Sequence, residues 1–161
     1  MKVQDVMMRT PATCSLGMNL GTAIEILWNR NCGILPVVNA KNQVVGVVTD
    51  RDLCIALGTR NRLPGEITIA DVVSGKLFSC KPGDEIQNAL ATMAQQQVRR
   101  LPVINAEGKL EGILSMDDVT LHAEPRISGK HTELSFDDVA VTLKKLYAPQ
   151  LPQLVKKGVA A

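Results

Sequence analysis

An internal repeat constrains this chain more than any other feature of its sequence. Shifting the sequence by 66 residues aligns residues 3–53 with residues 69–119 without a gap. Twelve of the 51 aligned positions are identical, whereas average composition would give roughly three by chance. A unit of about 50 residues buries its core poorly alone. The two copies are therefore expected to pack together about an approximate two-fold axis.

Both copies show the same order of periodicities, which predicts β-α-β-β-α units of the α/β (α+β) class. Short extended pieces are expected at 12–15 and 78–81, and hairpin strands at 34–38, 44–48, 101–104 and 110–114. Further helices are predicted after Thr49 and Ser115. The helix before each hairpin has one apolar face, formed by Leu20, Ala23, Ile24, Leu27 and Trp28, and by Ile86, Ala89, Leu90, Met93 and Ala94.

The sequence outside the repeats predicts a linker and a C-terminal appendage. We assign residues 1–57 and 69–123 to the repeats, 58–68 to the linker, 124–134 to a loop, 135–148 to an amphipathic helix, and 149–161 to a frayed tail. Ser135 and Asp138 form a capping-box pattern at the helix start. The helix should dock on the core of its own chain, the alternatives being a second subunit or a partner. Its apolar stripe is predicted to be Phe136, Val139, Ala140, Leu143, Leu146 and Tyr147.

Composition excludes several classes of protein. A net charge of +2 and four aromatic residues give little basis for nucleic-acid binding. No apolar run approaches the roughly 20 residues of a membrane span, and the N-terminus lacks a signal-peptide pattern, so we expect a cytoplasmic protein that contacts no membrane. The four cysteines form no Cys-x-x-Cys pair and His122 and His131 lie far apart, which favours reduced, buried thiols and no metal site.

One repeated motif could carry chemistry. Residues 46–52, Gly-Val-Val-Thr-Asp-Arg-Asp, are echoed by residues 112–118, Gly-Ile-Leu-Ser-Met-Asp-Asp. The ordinary interpretation is a helix-capping box, in which a hydroxyl is followed three residues later by a carboxylate. A helix N-terminus behind a glycine also suits phosphate. A carboxylate one turn along is suited to accept ribose hydroxyls, as Asp52 and Asp118 would.

The ordered set of motifs resembles a tandem pair of CBS domains, also called a Bateman module. The resemblance rests on the duplication, on the strands Leu-Pro-Val-Val-Asn and Leu-Pro-Val-Ile-Asn, and on the two Gly-containing loops, and it covers about residues 1–122. It implies a regulatory module that binds adenine nucleotides in clefts between the copies and forms a homodimer. The ligand-binding residues implied are Thr13, Gly33, Ile34, Pro36, Thr49, Arg51, Asp52, Ser79, Arg99, Arg100, Pro102, Ser115 and Asp118.

Within that resemblance, the two clefts are expected to differ in charge. Arg51 corresponds to Asp117, whereas Arg99 and Arg100 correspond to Gly33 and Ile34. In this family phosphates can be reached from the opposite copy, so Arg99 and Arg100 are expected to serve the Asp52 cleft. The simpler interpretation of the two arginines is a solvated strand end.

These residues leave two kinds of function open. The first is a ligand sensor that needs no cofactor, takes AMP or ATP first, ADP or NAD next and S-adenosylmethionine last, and signals to an unidentified regulated protein. The second is a ligand-free dimerisation or interaction scaffold, in which Thr49/Asp52 and Ser115/Asp118 are only helix caps. An enzyme is not expected, because no phosphate loop, His-Glu-x-x-His or Gly-x-Ser-x-Gly motif is present and no His, Lys or Cys lies nearby in a catalytic arrangement with Asp50, Asp52, Asp117 or Asp118.

Overall fold

Two hairpins with the same register form the centre of the fold. The structure is a computed structural model that describes residues 1–73, 76–128 and 132–148. Strands β2 (Ile34–Val38) and β3 (Val44–Thr49) pair antiparallel, as do β4 (Arg100–Ile104) and β5 (Leu110–Ser115). The register shifts after Val37 in one hairpin and after Val103 in the other, which are the same position of the repeat. The predicted duplication of sequence is therefore also a duplication of structure.

Each hairpin lies between two helices. In the first repeat these are α2 (Leu20–Asn29) and α3 (Asp50–Thr59), and in the second α4 (Ile86–Gln96) and α5 (Met116–His122). Thus α3 runs two residues into the segment assigned to the linker. Past the ends of α2 and α4, Asn31 and Gln97 take left-handed conformations, with φ of 47° and 54°, which turn the chain out of each helix.

The apolar face predicted for α2 is wrong at one residue. Leu20, Ala23 and Leu27 are buried, but Trp28 is 84% exposed. In the second repeat the corresponding residue is Ala94, which is half-buried. The helical spacing is correct in both copies, but the face that it defines is wider than the surface that covers α2.

The first predicted strand of each copy forms only a single parallel bridge. Cys14 pairs with Val37, and Cys80 pairs with Val103. The Cys14 N–H donates to the Pro36 carbonyl at 3.0 Å, and the Cys80 N–H donates to the Pro102 carbonyl at 3.1 Å. Each extended piece is therefore held against the central hairpin at one point, the same in both repeats.

The segments that lead into each repeat are exchanged between the copies. The N-terminal helix α1 (Val3–Val6) and strand β1 (Met8–Arg9) belong to the second repeat's core and sheet, where Met8 pairs with Ile113. Reciprocally, Ile67 and Ile69 are buried in the first repeat's core. The bridges Lys2–Glu85 and Thr68–Asn19 connect equivalent positions and mark this reciprocity. Neither repeat completes its core without residues from the other.

The tips of the two hairpins meet at the approximate two-fold axis. Gln43 bridges to Lys109, the residue that corresponds to Gln43 itself in the second copy. The Val44 N–H donates to the Gly108 carbonyl at 3.0 Å, and the Gln43 side-chain amide donates to the Glu107 carbonyl at 3.0 Å. Contact between equivalent residues is what a two-fold relation requires, so the predicted symmetry is confirmed.

Helix α6 (Phe136–Leu146) docks on its own chain, against α4 and α5 of the second repeat. Ser135 and Asp138 form the predicted capping box, in which the Ser135 hydroxyl donates to Asp138 Oδ2 at 2.6 Å. Burial raises the pKa of Asp138, but the hydrogen bonds from Ser135 outweigh it and hold the pKa below its ordinary value. The expected docking in cis is thereby confirmed.

The stripe predicted for α6 is only partly the face that docks. Val139 and Leu146 are buried together with Thr142, whereas Phe136 and Tyr147 are 53% and 65% exposed and Ala140 is exposed. The apolar residues span a wider arc than one neighbouring surface can cover.

Two predicted segments lie wholly or partly outside the described residues. These are the tail at 149–161 and the part of the loop at 129–131, which includes His131.

A close backbone approach holds β1 against β5, and we predict that Gly112→Ala destabilises the fold. A Cβ at Gly112 would lie 2.7 Å from the Met8 carbonyl oxygen and 2.8 Å from Met7 Sδ. Relieving that overlap should cost about 1–3 kcal/mol of unfolding free energy, measured by urea denaturation. Gly83→Ala is the matched control, because nothing lies within 4 Å of its Cβ position. Equal stability of the two variants would contradict the described contact.

The cysteines divide into two environments, so the expectation of four buried thiols is half correct. Cys14 and Cys80 are buried, Cys32 is half-buried and Cys54 is exposed. Burial raises the pKa of the Cys14 thiol to about 11 and, with the nearby charge of Asp84, that of Cys80 to about 12. The equivalent pair is therefore uncharged near neutral pH.

Because the thiolate is the reactive form, we predict two classes of thiol in the native protein. At pH 8 a thiol-reactive dye should modify Cys54 rapidly and Cys32 more slowly, while Cys14 and Cys80 should react only after unfolding in urea. Mass spectrometry of the modified peptides assigns each class. Rapid modification of Cys14 in the folded chain would contradict this assignment.

Candidate ligand-binding site between the repeats

The two hydroxyl–carboxylate loops have nearly the same geometry. Asp52 Oδ2 accepts hydrogen bonds from Thr49 N at 2.9 Å and Thr49 Oγ1 at 2.7 Å. Asp118 Oδ2 accepts from Ser115 N at 2.8 Å and Ser115 Oγ at 2.5 Å. Both carboxylates are half-buried at the first turns of α3 and α5. The helix-capping interpretation is therefore confirmed for both loops.

The hairpin ends bring further predicted residues to the same place in each repeat. Ile34 lies opposite Thr49 across the β2–β3 ladder, and Arg100 lies opposite Ser115 across β4–β5. Thr13 precedes Cys14, whose N–H is held by the Pro36 carbonyl, and Ser79 stands in the same relation to Pro102. Ile34, Pro36 and Pro102 are buried, whereas Thr13 and Ser79 are half-buried.

Arg100 reaches from the second repeat to the first. A Cβ at Gly33 would lie 3.6 Å from Arg100 Nη1 and 3.3 Å from Asp50 Oδ2, so all three groups meet at one point. Arg100 Nη2 also stands 3.9 Å from Asp117 Oδ2, on an aspartate side chain that is 84% exposed. The guanidinium thus lies between carboxylates of both repeats. A long ion pair whose carboxylate is this exposed contributes little stability.

The other two predicted arginines are less engaged. Arg51 and Arg99 are both exposed. The Arg99 carbonyl accepts a hydrogen bond from Met116 N at 3.0 Å, which is a backbone contact within the second repeat. Of the three arginines, only Arg100 therefore has a described side-chain contact across the repeat boundary.

Two cavities adjoin this boundary. The inter-repeat cavity has a volume of about 130 Å³, and the α2–α3 groove has a volume of about 900 Å³. The inter-repeat cavity is lined by Met8, Pro11, Ala12, Asn31, Cys32, Gly33, Ile34, Arg100, Ile113 and Asp117. The α2–α3 groove is lined by Ile24, Leu27, Trp28, Asn31, Cys32, Gly33, Asp50, Leu53, Cys54, Leu57, Gly58 and Arg100.

The cavities bring together only part of the predicted set. Gly33 and Arg100 line both, and Ile34 lines the inter-repeat cavity, whereas the two capping-box pairs, Thr49/Asp52 and Ser115/Asp118, line neither. Sequence reasoning missed Asn31 and Asp50 as lining residues. The signal for Asn31 was available, since an asparagine past a helix end often takes the left-handed conformation that turns the chain.

Both repeats match one known family. A family model described as CBS domain matches residues 3–59 and again residues 62–123. The chain belongs to the CBS domain family. The resemblance drawn from its repeated motifs and the fold class expected from it are both confirmed.

Two relatives illustrate the range of proteins that contain this module. A functionally uncharacterised protein of Methanopyrus kandleri is 33% identical over 107 residues, which cover 65% of this chain and 54% of that protein. The CBS domain-containing protein YhcV of Bacillus subtilis is 31% identical over 120 residues, covering 74% of this chain and 84% of YhcV. The chain therefore spans about half of the first relative and most of the second.

Two of the solved structures that this chain resembles contain adenosyl ligands. The crystal structure of CBSX2 in complex with AMP matches with a TM-score of 0.66 at 25% identity, covering 74% of this chain and 93% of the chain in that structure. The CBS domain pair of protein MJ0100, solved with 5′-methylthioadenosine and S-adenosyl-L-methionine, matches with a TM-score of 0.69 at 21% identity, covering 75% of this chain and 94% of that one. The second likeness is one of fold.

The described residues form neither a membrane-spanning helix nor a cluster of metal-ligating side chains. No helix within 1–73, 76–128 and 132–148 is both long enough and apolar enough to cross a membrane. In the same part of the chain, no three side chains of His, Cys, Asp or Glu cluster so that they could hold a metal ion.

Proposed function

We propose that this chain is a regulatory module that binds an adenine nucleotide at the boundary of its repeats and transmits binding to another protein. The observation that carries the proposal is the position of Arg100, which extends from the second repeat to Gly33 and Asp50 of the first. A cation at the boundary can hold a phosphate between the repeats. The AMP complex of CBSX2 supports this choice of ligand class.

Each group of predicted residues has a distinct role in this proposal. Arg100 would bind the phosphate, and the first turn of α3 would add backbone N–H groups and the Thr49 hydroxyl. Asp52 would accept the ribose hydroxyls. The backbone around Ile34 and Pro36, with Thr13 beside it, would line the base. Asp118, Ser115, Ser79 and Pro102 are the equivalents in the second cleft, where Asp117 replaces Arg51 and disfavours phosphate.

Nucleotide binding requires the boundary to open. The inter-repeat cavity has a volume of about 130 Å³. Small-molecule sites usually have volumes of at least roughly 300 Å³. The Arg100–Asp117 pair is long and its aspartate is exposed, so exchanging it for a phosphate contact costs little. Binding would therefore shift the repeats relative to each other and shift the equilibrium of whatever packs on them.

The arginines at the boundary rank the ligands. Phosphorylated ligands are favoured, with AMP and ATP before ADP and NAD, and S-adenosylmethionine last because it carries no phosphate. The ligands of the MJ0100 pair make S-adenosylmethionine a necessary member of any test. The proposed module forms a homodimer, regulates a protein not yet identified, catalyses no reaction and acts in the cytoplasm, where the free thiols of Cys32 and Cys54 would stay reduced.

One observation favours a second candidate function, a ligand-free interaction scaffold. Within each of the pairs Thr49/Asp52 and Ser115/Asp118, the hydroxyl and the carboxylate already form the hydrogen bonds of a capping box. Helix capping therefore accounts for both pairs without a ligand. The two functions differ in a single property, which is whether an adenine nucleotide stabilises the folded chain.

We predict that AMP or ATP raises the melting temperature and that Asp52→Ala/Asp118→Ala abolishes the rise. A ligand at about 100 times its Kd stabilises by about 2.7 kcal/mol, or several degrees for a chain of this size. The measurement is a thermal-shift panel of AMP, ADP, ATP, NAD and S-adenosylmethionine at millimolar concentration. Loss of each capping box should itself lower stability by about 1 kcal/mol.

Asp138→Ala is the matched control for that loss of stability. Its capping box with Ser135 has the same geometry but lies on α6, away from both loops. The control should lose stability and keep its nucleotide response. Protein that is folded and free of copurified nucleotide, yet responds to none of the five ligands, would favour the scaffold.

We further predict that Arg100→Gln separates phosphate recognition from nucleoside recognition. Removing a charge-assisted phosphate contact should weaken AMP binding about 10-fold and leave adenosine binding unchanged, as measured by titration calorimetry. Arg30→Gln is the control, because it removes the same charge from an exposed side chain that lines neither cavity and is not one of the predicted ligand-binding residues. An equal loss for AMP and adenosine would exclude a phosphate role for Arg100.

A further inference from the structure

The α2–α3 groove is the first-repeat counterpart of the surface on which α6 lies. In the second repeat, Leu90 is 3% exposed in the core that α6 joins, Gln97 donates to the Ala148 carbonyl at the end of α6, and Glu124 bridges to Ser135 at its start. The corresponding residues in the first repeat are Ile24, Asn31 and Gly58, and all three line the groove. The groove therefore has the position and length of a helix-binding surface.

Helix α6 also has an exposed apolar stripe, formed by Phe136, Ala140 and Tyr147. Positions four and eleven residues apart lie within about 40° of one another on an α-helix. The buried face of α6 is centred on Val139 and Leu146, so the exposed stripe points elsewhere. One chain thus carries both an open apolar groove, with Trp28 84% exposed, and an exposed helix stripe that contains two aromatic side chains.

We propose that the α2–α3 groove of one copy binds the exposed α6 stripe of a second copy, in a two-fold dimer that contains this contact twice. In such a dimer each α6 lies between the α4–α5 surface of its own chain and the α2–α3 groove of the other. The first repeat of each copy then faces the second repeat of its partner. This gives the homodimer of the proposed function a specific interface, which does not itself depend on nucleotide.

The exposed aromatic side chains alone supply about half of the area that a stable dimer buries. A buried aromatic side chain removes about 150–250 Å² from water. At their observed exposures, Trp28, Phe136 and Tyr147 would contribute roughly 400 Å² per copy, or roughly 800 Å² in the two-fold dimer. Stable interfaces bury about 1,200–2,000 Å² in total, and the groove walls and Ala140 supply further area.

Packing and charge favour this pairing over a dimer in which the two grooves face each other. Two facing grooves of about 900 Å³ each would leave unfilled space, which protein interfaces avoid. A helix fills such a groove, as α6 does in the second repeat. Lys144 is exposed one turn beyond Ala140, and Asp50 at the groove is also exposed, so opposite charges are available at the rim of the contact.

The first test is the association constant of the full chain, measured by sedimentation equilibrium. The wild-type chain should dimerise, and Trp28→Ser or Phe136→Ser/Tyr147→Ser should weaken association about 10-fold or more. Leu63→Ser is the matched control, because Leu63 is 69% exposed but belongs to the segment that links the repeats in sequence and is part of neither the groove lining nor α6. A monomeric wild-type chain at about 100 µM, or a dimer unaffected by Trp28→Ser, would overturn the proposal.

A disulfide test distinguishes the two arrangements. Cys54 is exposed and lines the groove, so under oxidation by diamide the variant Ala140→Cys should form a covalent dimer on a non-reducing gel. Adding Cys54→Ser should abolish that dimer. A covalent wild-type dimer through Cys54 alone would show grooves facing each other and overturn the proposal, as would no covalent dimer from Ala140→Cys in a chain that associates.

The same variants keep this proposal separate from the proposed function. Trp28 lies outside the predicted nucleotide-binding residues, so Trp28→Ser should retain the thermal response to nucleotide while losing association. If no nucleotide stabilises any variant but the association results are as expected, the sensor function fails and the interface stands. If nucleotide responses are normal but association is insensitive to Trp28 and Tyr147, the interface fails and the sensor function stands.

Discussion

The reciprocal exchange of leading segments is the interaction on which the rest of the structure depends. Val3 and Val6 complete the core of the second repeat, while Ile67 and Ile69 complete that of the first. Each repeat is too small to bury its own apolar surface, and the exchange makes the two cores interdependent. A change in the relative position of the repeats therefore affects both cores together, which makes the boundary the natural place for a ligand to act on the whole module.

The boundary also shows where the duplicated copies have ceased to be equivalent. The hairpins, caps and bridges keep their symmetry, because packing and hydrogen bonding impose the same demands on both copies. The charged residues do not keep this symmetry. Arg100 occupies the position that Ile34 has in the first copy, and its guanidinium lies against Gly33, the residue before Ile34. A glycine at this point leaves room for a long cation from the other repeat. The difference in sequence between the copies thus produces one contact between the repeats, and in the proposed function a phosphate would bind at that contact.

Local patterns were sufficient to predict most of the elements of the fold, since the spacing of apolar residues and the hydroxyl–carboxylate caps are properties of short segments. The exchange was not predictable in this way. Val3 and Ile69 occupy equivalent positions and have similar side chains, so the pattern is the same whether each segment packs on its own copy or on the other. The exposure of an apolar side chain could not be predicted from periodicity either. Periodicity places Trp28 and Phe136 on apolar helix faces, but whether another element covers them depends on residues distant in sequence. In the candidate site, the capping carboxylates followed from local sequence, whereas the reach of Arg100 into the first repeat was expected only from the resemblance to CBS domains. The structure places Arg100 beside Gly33 and Asp50, and the α2–α3 groove was not predicted.

Helix α6 introduces the largest difference between the repeats. It covers the helix pair of the second repeat with Val139 and Leu146, while the equivalent pair in the first repeat remains an open groove. Because the groove and the inter-repeat cavity share Asn31, Cys32, Gly33 and Arg100, a change in the position of Arg100 alters the wall of both. A ligand that draws Arg100 toward a phosphate would therefore also reshape one end of the groove. Coupling between the inter-repeat cavity and the groove is therefore short-range, since the same guanidinium lines both cavities. It needs no chain of intervening residues.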